Sequence, residues 1–207
     1  MHTQLNNLKL SALRQANALR IPQFKNAQGQ MAHKKPDGSD WSLGDWINAT
    51  LGEMGEAANL LKKIRRGDYD LDFIRVELAK ELADVMCYLD ILAMQLDIDL
   101  SCSPEEEVTT LRQDRVVLKM TSKFGHIAQT METIELAREN NENPENDIYL
   151  MTSLALYFQE LIMSIQELAK IMQINLGQAV IDKFNEVSVR VGSSIILSEQ
   201  YAVDTSL

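Results

Sequence analysis

Apolar residues recur along this chain every three to four positions, and no long segment alternates apolar with polar. Leu, Ala and Met carry that spacing with Glu and Gln between them, which is the signature of amphipathic helices. The pattern predicts an all-α fold, an antiparallel helical bundle. A first helix is expected from Leu5 to Arg20, anchored by Leu8, Leu10, Leu13 and Leu19. It should close at Ile21-Pro22, because the residue before a proline is biased away from helix. Gln23 to Trp41 then reads as a long loop containing Gly29, Pro36, Asp37 and Gly38. Loops of that length in compact domains are commonly functional, and Phe24, His33 and Trp41 can stack on a planar ligand. The competing reading is a connector whose aromatic residues tuck onto the core.

Ser42 and Asp45 have the spacing of a capping box, and the helix they open should run to Arg66 and stop at Gly67, a glycine at the usual C′ position. Asp70 or Asp72 caps the next helix, which continues to about Leu96 before Asp97–Ser101 and Pro104 break it. A helix over Glu105–Asn140, a polar turn over Asn141–Asp147 and a helix over Ile148–Met172 follow. The last helix starts at Leu176 or Gly177, and the tail after Val191-Gly192-Ser193 looks irregular. The expected organisation is one all-α domain over 1–207. Its parts are an N-terminal helix, loop and helix pair (1–100), an extra helix pair (101–173), and a last helix with a tail (174–207).

The extra pair reads as a faded copy of the first. Met54–Asn59 can be laid over Phe124–Gln129, and Gln95–Leu100 over Ile171–Leu176. Glu53 then corresponds to Lys123, Glu56 to His126, Glu81 to Tyr157 and Asp84 to Glu160, so a degenerate repeat would have lost most of its acids.

Those acids are the chemical signal. Glu53 and Glu56 lie three apart on one helix, and Glu81 and Asp84 lie three apart on the next. Residues at that spacing share a helix face, and an antiparallel pair with a short turn can bring the two faces together. The flanks are apolar or small, as in Leu51-Gly52-Glu53-Met54-Gly55-Glu56-Ala57-Ala58. Carboxylates embedded in such a stripe are costly unless something neutralises them. Oxygen ligands alone select hard cations, so Mg²⁺ is expected, with Mn²⁺ able to substitute. Against this stands the ordinary solvated helix face, where acids three apart are frequent. On the acidic face of the first helix lie Asn59 and Lys63, with Arg66 further on, and Tyr88 follows Asp84 by one turn. The basic residues at that end also suit the helix dipole.

Composition narrows the partners. The chain has 207 residues, a formal charge of −10 and two cysteines, Cys87 and Cys102. A pI near 4.8 argues against phosphate-backbone binding to nucleic acid. Nothing resembles a disulfide framework, so a reducing cytoplasm is expected. Neither a signal peptide nor a run of about twenty apolar residues stands out, so no membrane association is expected. A di-iron bundle would need Glu-x-x-His on two helices, and the only histidines are His2, His33 and His126. A non-catalytic helical interaction protein remains as the contrasting class.

The order E-x-x-E, linker, E-x-x-D, with Gly52–Asn59 and Lys62–Asp68 around it, resembles the signature of the MazG-like all-α nucleoside triphosphate pyrophosphohydrolases. Lys183-Phe184-Asn185-Glu186-Val187-Ser188 is similar to their late motif, and His33–Trp41 is similar to the opening of the phage-encoded branch. The resemblance covers roughly 10–100 and 173–195. It departs at 103–173, where shorter relatives have almost nothing, and there the arrangement is similar to the tandem dimeric dUTPases. The resemblance implies Mg²⁺-dependent cleavage of a free (d)NTP to (d)NMP and pyrophosphate, with metal on Glu53, Glu56, Glu81 and Asp84 and either Glu53 or Glu56 as base. It assigns Lys183 and Asn185, which residue type alone would call solvent-facing, to phosphate and sugar contacts with Lys63 and Tyr88. Asn17, His33 and Trp46 become candidates for the base pocket. A homo-oligomer is implied, a dimer ahead of a tetramer, in a cytoplasm that is the host's if a phage encodes the chain. Relatives in the phage branch include (d)GTP-cleaving enzymes that feed modified-purine synthesis, so a purine such as (d)GTP is expected, while dUTP- or dCTP-type pool sanitation is the alternative within the family.

Overall fold

The computed structural model describes residues 4–5, 8–100 and 112–198. Among them are six α-helices and one two-stranded ribbon, so the protein is an all-α bundle. The ribbon pairs β1 (Gln4–Leu5) antiparallel with β2 (Leu8–Lys9), which corrects the expected helix start at Leu5. Leu8 and Leu10 are buried on either side of exposed Lys9, a period of two that suits a strand. Helix α1 therefore begins at Leu10 and ends at Arg20, followed by a 3₁₀ turn over Ile21–Gln23.

The long loop is built from local bonds. Asn26 Oδ1 accepts from the backbone N–H of Gln28 and Gln30 at 3.0 Å each, and Lys25 bridges to Met31. Asp40 accepts from the N–H groups of Lys34 and Lys35. Gly38 has φ +75°, and a Cβ there would lie 2.9 Å from the Trp46 ring, so only glycine lets the loop close onto the core.

Helix α2 (Leu43–Arg66) starts with the expected capping box, in which Ser42 and Asp45 each bond the other's backbone N–H. It stops at Gly67, which is left-handed. Asp70 caps α3 (Leu71–Met94) through the Phe73 N–H. The short turn makes α2 and α3 an antiparallel pair. Helix α3 is the hub, packed by α1, α2, α5 and α6. Its residues from Leu82 to Ala93 are buried almost without interruption, the pattern of a helix surrounded on most sides.

Helix α4 (Gln113–Glu139) pairs with α5 (Ile148–Ile171), and α6 (Leu176–Val191) returns onto α3. Helix α4 starts at Gln113 after an extended Arg112, and the earlier part of the helix expected from Glu105 falls outside the described residues. Residues 105–111, Cys102, Pro104 and His2 lie outside the described residues. By length and composition α5 alone, among the described residues, could cross a membrane, although Glu160, Glu167 and Lys170 interrupt its apolar residues. It buries Leu154, Phe158, Leu161, Ile162, Ile165 and Leu168 within the bundle core.

The two helix pairs keep the register of the sequence overlay. Asp97 and Gln173, equivalent positions, both carry positive φ (53° and 55°). The next residues close the same bond: Ile98 N–H donates to Ala93 O at 3.0 Å, and Ile174 N–H to Ala169 O at 2.8 Å. Helix α4 packs on α2 and α5 on α3. Lys123 Nζ lies 2.7 Å from Glu160 Oε2, and the His126 and Tyr157 rings stack at 4.9 Å. The residues laid over the acids thus meet across α4 and α5 as a salt bridge and an aromatic stack.

Candidate metal centre

Glu53 is supplied by α2, and Glu81 and Asp84 by α3. One carboxylate oxygen from each lies within 4.8 Å of the others, and all three side chains are half-buried. The geometry follows from the antiparallel pair: the i, i+3 acids of α3 face the acid of α2 across the interface. Glu56 is placed at the rim. It is exposed and outside the tight group, but its charge still reaches Glu53 and Glu81.

Electrostatics mark the group as under-neutralised. Burial, then Asp84 and Glu56, push the Glu53 carboxyl up to about 7. Burial, then Glu56, Glu53 and Asp84, push Glu81 to about 7 as well. Burial also raises Asp84, against the pull of Lys183. Three convergent carboxylates whose ionised forms are disfavoured, with no imidazole or thiolate among them, fit a hard divalent cation such as Mg²⁺.

The remaining sequence candidates divide. Lys183 reaches the group from α6, its Nζ 3.1 Å from Asp84 Oδ2; it is not the solvent-facing lysine that residue type implies. Burial works against its ammonium, but Asp84 and Glu186 more than offset this and raise it. Tyr88 lies beside Glu53 and Asp84, and burial first, then their charges, raises its phenol. Lys63 is half-buried and Asn59 exposed, both further along α2. Trp46 is buried two turns before Glu53 and connects the loop to the site. Its ring stacks on His33 at 5.3 Å, with Trp41 at 4.7 Å and Tyr88 at 6.5 Å. Trp46 Nε1 and His33 Nδ1 are buried without a hydrogen-bond partner. Burial lowers His33, against the charge of Asp40 3.7 Å away.

Two candidates are corrected. Asn17 does not face a base pocket: it is fully buried, and its Nδ2 donates to Asp90 Oδ2 at 2.9 Å and to Cys87 O at 3.3 Å. Asn185 spends its amide on the tail, donating to Leu197 O and accepting from Leu197 N–H at 2.9 Å each. A lone Asn in a helix gives no sign of such long-range partners. Sequence reading also missed Arg20 and Arg190, which line a pocket beside the acids together with Phe24, Tyr88, Ile91 and Val187. Arg20 is buried, donates to Phe184 O at 2.8 Å and lies 3.5 Å above the Phe184 ring. Its place at the end of α1, where a basic residue suits the dipole, hides it in the sequence.

No family model matches the chain, and no solved structure matches it. A relative, the Gene 37 protein of Mycobacterium phage L5, is 42% identical over 76 residues. That match covers 33% of this chain and 64% of the relative, so the chain spans just under two thirds of that protein's length.

Proposed function

We propose that the protein is a Mg²⁺-dependent nucleoside triphosphate pyrophosphohydrolase that converts (d)NTP and water to (d)NMP and pyrophosphate. The observation that carries this reading is the convergence of Glu53, Glu81 and Asp84 oxygens within 4.8 Å. A bound Mg²⁺ would neutralise charge on the phosphates as it builds up. Glu53, Glu81 and Asp84 would hold it. Glu56, one turn from Glu53 and outside the tight group, is the carboxylate left to orient the attacking water and accept its proton. Lys183, Lys63 and Arg190 supply positive charge for the phosphates. The pocket of Tyr88, Phe24 and Arg20 takes the sugar side of the nucleotide, and Trp41, the exposed ring of the His33–Trp41–Trp46 stack, offers an aromatic face for a base.

The test is pyrophosphate release across the eight common dNTPs and NTPs, with and without Mg²⁺. Metal-dependent release from a subset of these supports the reading and identifies the base, with (d)GTP the first to try. No release from any nucleotide at millimolar Mg²⁺ overturns it and leaves the non-catalytic interaction protein. Glu56→Gln should lose turnover while still binding Mn²⁺, whereas loss of both would return Glu56 to the ligand set.

A further inference from the structure

Lys183 stands between two carboxylates of different kinds. Its Nζ is 3.1 Å from Asp84 Oδ2 and 3.7 Å from Glu186 Oε1. Asp84 belongs to the convergent group, its side chain 16% exposed, while Glu186 lies one turn along α6, 52% exposed. Lys183 itself is 13% exposed, so its ammonium is held in the crevice and not in bulk water. A divalent cation seated among Glu53, Glu81 and Asp84 would sit within a few ångströms of that ammonium. Two cations at such a distance, away from bulk water, repel strongly. The doubly charged one attracts the carboxylates more. Lysine is suited to move, since its charge is a point on a flexible stem with no bidentate geometry to lose. The carboxylate already in its reach is Glu186.

Resting on the metal reading above, we propose that Lys183 is an exchangeable counter-ion: it pairs with Asp84 before a divalent cation binds and passes to Glu186 when one does. Lys183 is then a positioning residue that keeps the acid group assembled and sets how tightly the cation is held. Ammonium and metal are two ligands competing for one site, so each weakens the other by the same factor.

The test is Mn²⁺ binding to the full chain without nucleotide, read as free Mn²⁺ by electron paramagnetic resonance. Lys183→Gln should bind Mn²⁺ roughly tenfold more tightly than the parent chain, within the usual range of such couplings. Lys183→Met, which keeps the apolar stem, should do the same. Glu186→Gln in the parent chain should weaken binding, because the ammonium loses its second seat. In the Lys183→Gln background the same change should have far less effect. That non-additivity separates exchange from simple proximity of charge, which would make the Glu186 effect equal in both backgrounds. Unchanged or weaker binding in both Lys183 variants, or additive effects, overturns the exchange while leaving the metal site standing. Absence of Mn²⁺ binding in parent and variants alike overturns the site reading and the exchange with it. Failure of both variants to fold, by far-ultraviolet circular dichroism, would make Lys183 a structural residue and also overturn it.

Discussion

Glu81 and Asp84 are half-buried on α3, outside its fully buried stripe, so their removal should separate chemistry from folding. Glu81 is raised by burial and then by Glu56, Glu53 and Asp84, so Glu81→Ala relieves repulsion in the metal-free chain. Asp84 is raised by burial against the pull of Lys183, so Asp84→Ala removes a buried charge and an ion pair together. Both variants are expected to keep their helical circular dichroism, Glu81→Ala melting at or above the parent temperature, while pyrophosphate release at saturating Mg²⁺ disappears. Undiminished release from either would remove the acid group from the mechanism. Asn17 should behave in the opposite way. Its amide satisfies Asp90 Oδ2, a carboxylate buried to 1% exposure whose other oxygen takes Arg14 Nε at 2.9 Å. Asn17→Ala leaves half of that pairing unmade, a loss of about 1–3 kcal/mol. Urea denaturation should show the loss with m unchanged, and the affinity for substrate should stay near that of the parent. A large rise in KM with stability intact would restore Asn17 to the base pocket.

At the scale of elements, the helices were legible because their ends carry local chemistry. Ser42, Asp45, Gly67 and Asp70 act within three residues of themselves, and each appears where its type predicts. The ribbon at Gln4–Lys9 was not legible as such, since Leu5, Leu8 and Leu10 satisfy a helical spacing as well as the alternation the chain adopts. The acid group was legible for the same reason as the helices: a three-residue spacing and a short turn fix it. Asn185, Arg20 and Arg190 were not, because their partners lie in other elements. In the helix pair α4–α5 the residues laid over the acids make other contacts. Lys123 and Glu160 close a salt bridge where the first pair opposes Glu53 and Asp84, and His126 stacks on Tyr157 where the first pair opposes Glu56 and Glu81. We therefore read it as a degenerate copy that supports α2 and α3 and holds no hard cation. Lys123→Ala and His126→Ala should leave turnover within a few-fold of the parent. A loss as complete as that of the acid variants would assign α4 a direct part in the reaction.

For the whole molecule, the acid group links three equilibria: folding, protonation and cation binding. In the metal-free chain burial and the neighbouring acids push Glu53 and Glu81 up to about 7, from an ordinary value of 4.5. Between those values the folded chain binds protons that the unfolded chain has released. Stability from these groups is therefore full below about pH 4.5, falls as pH rises, and levels off above about 7. His33, lowered by burial, works the other way below 6.5, so the comparison that isolates the acids is with Glu53→Gln, whose fall over this window should be shallower. A divalent cation that binds only the folded state stabilises it by RT ln(1 + [L]/Kd). It must displace those protons to bind, so its effect should be small at pH 5.5 and large at pH 8. Melting curves with and without millimolar Mg²⁺ or Mn²⁺ at the two pH values measure this directly. The expected result is a shift at pH 8 that shrinks at pH 5.5 in the parent and is lost in Asp84→Ala. A melting temperature unmoved by either metal at pH 8 would show that Glu53, Glu81 and Asp84 converge for some purpose other than holding a cation.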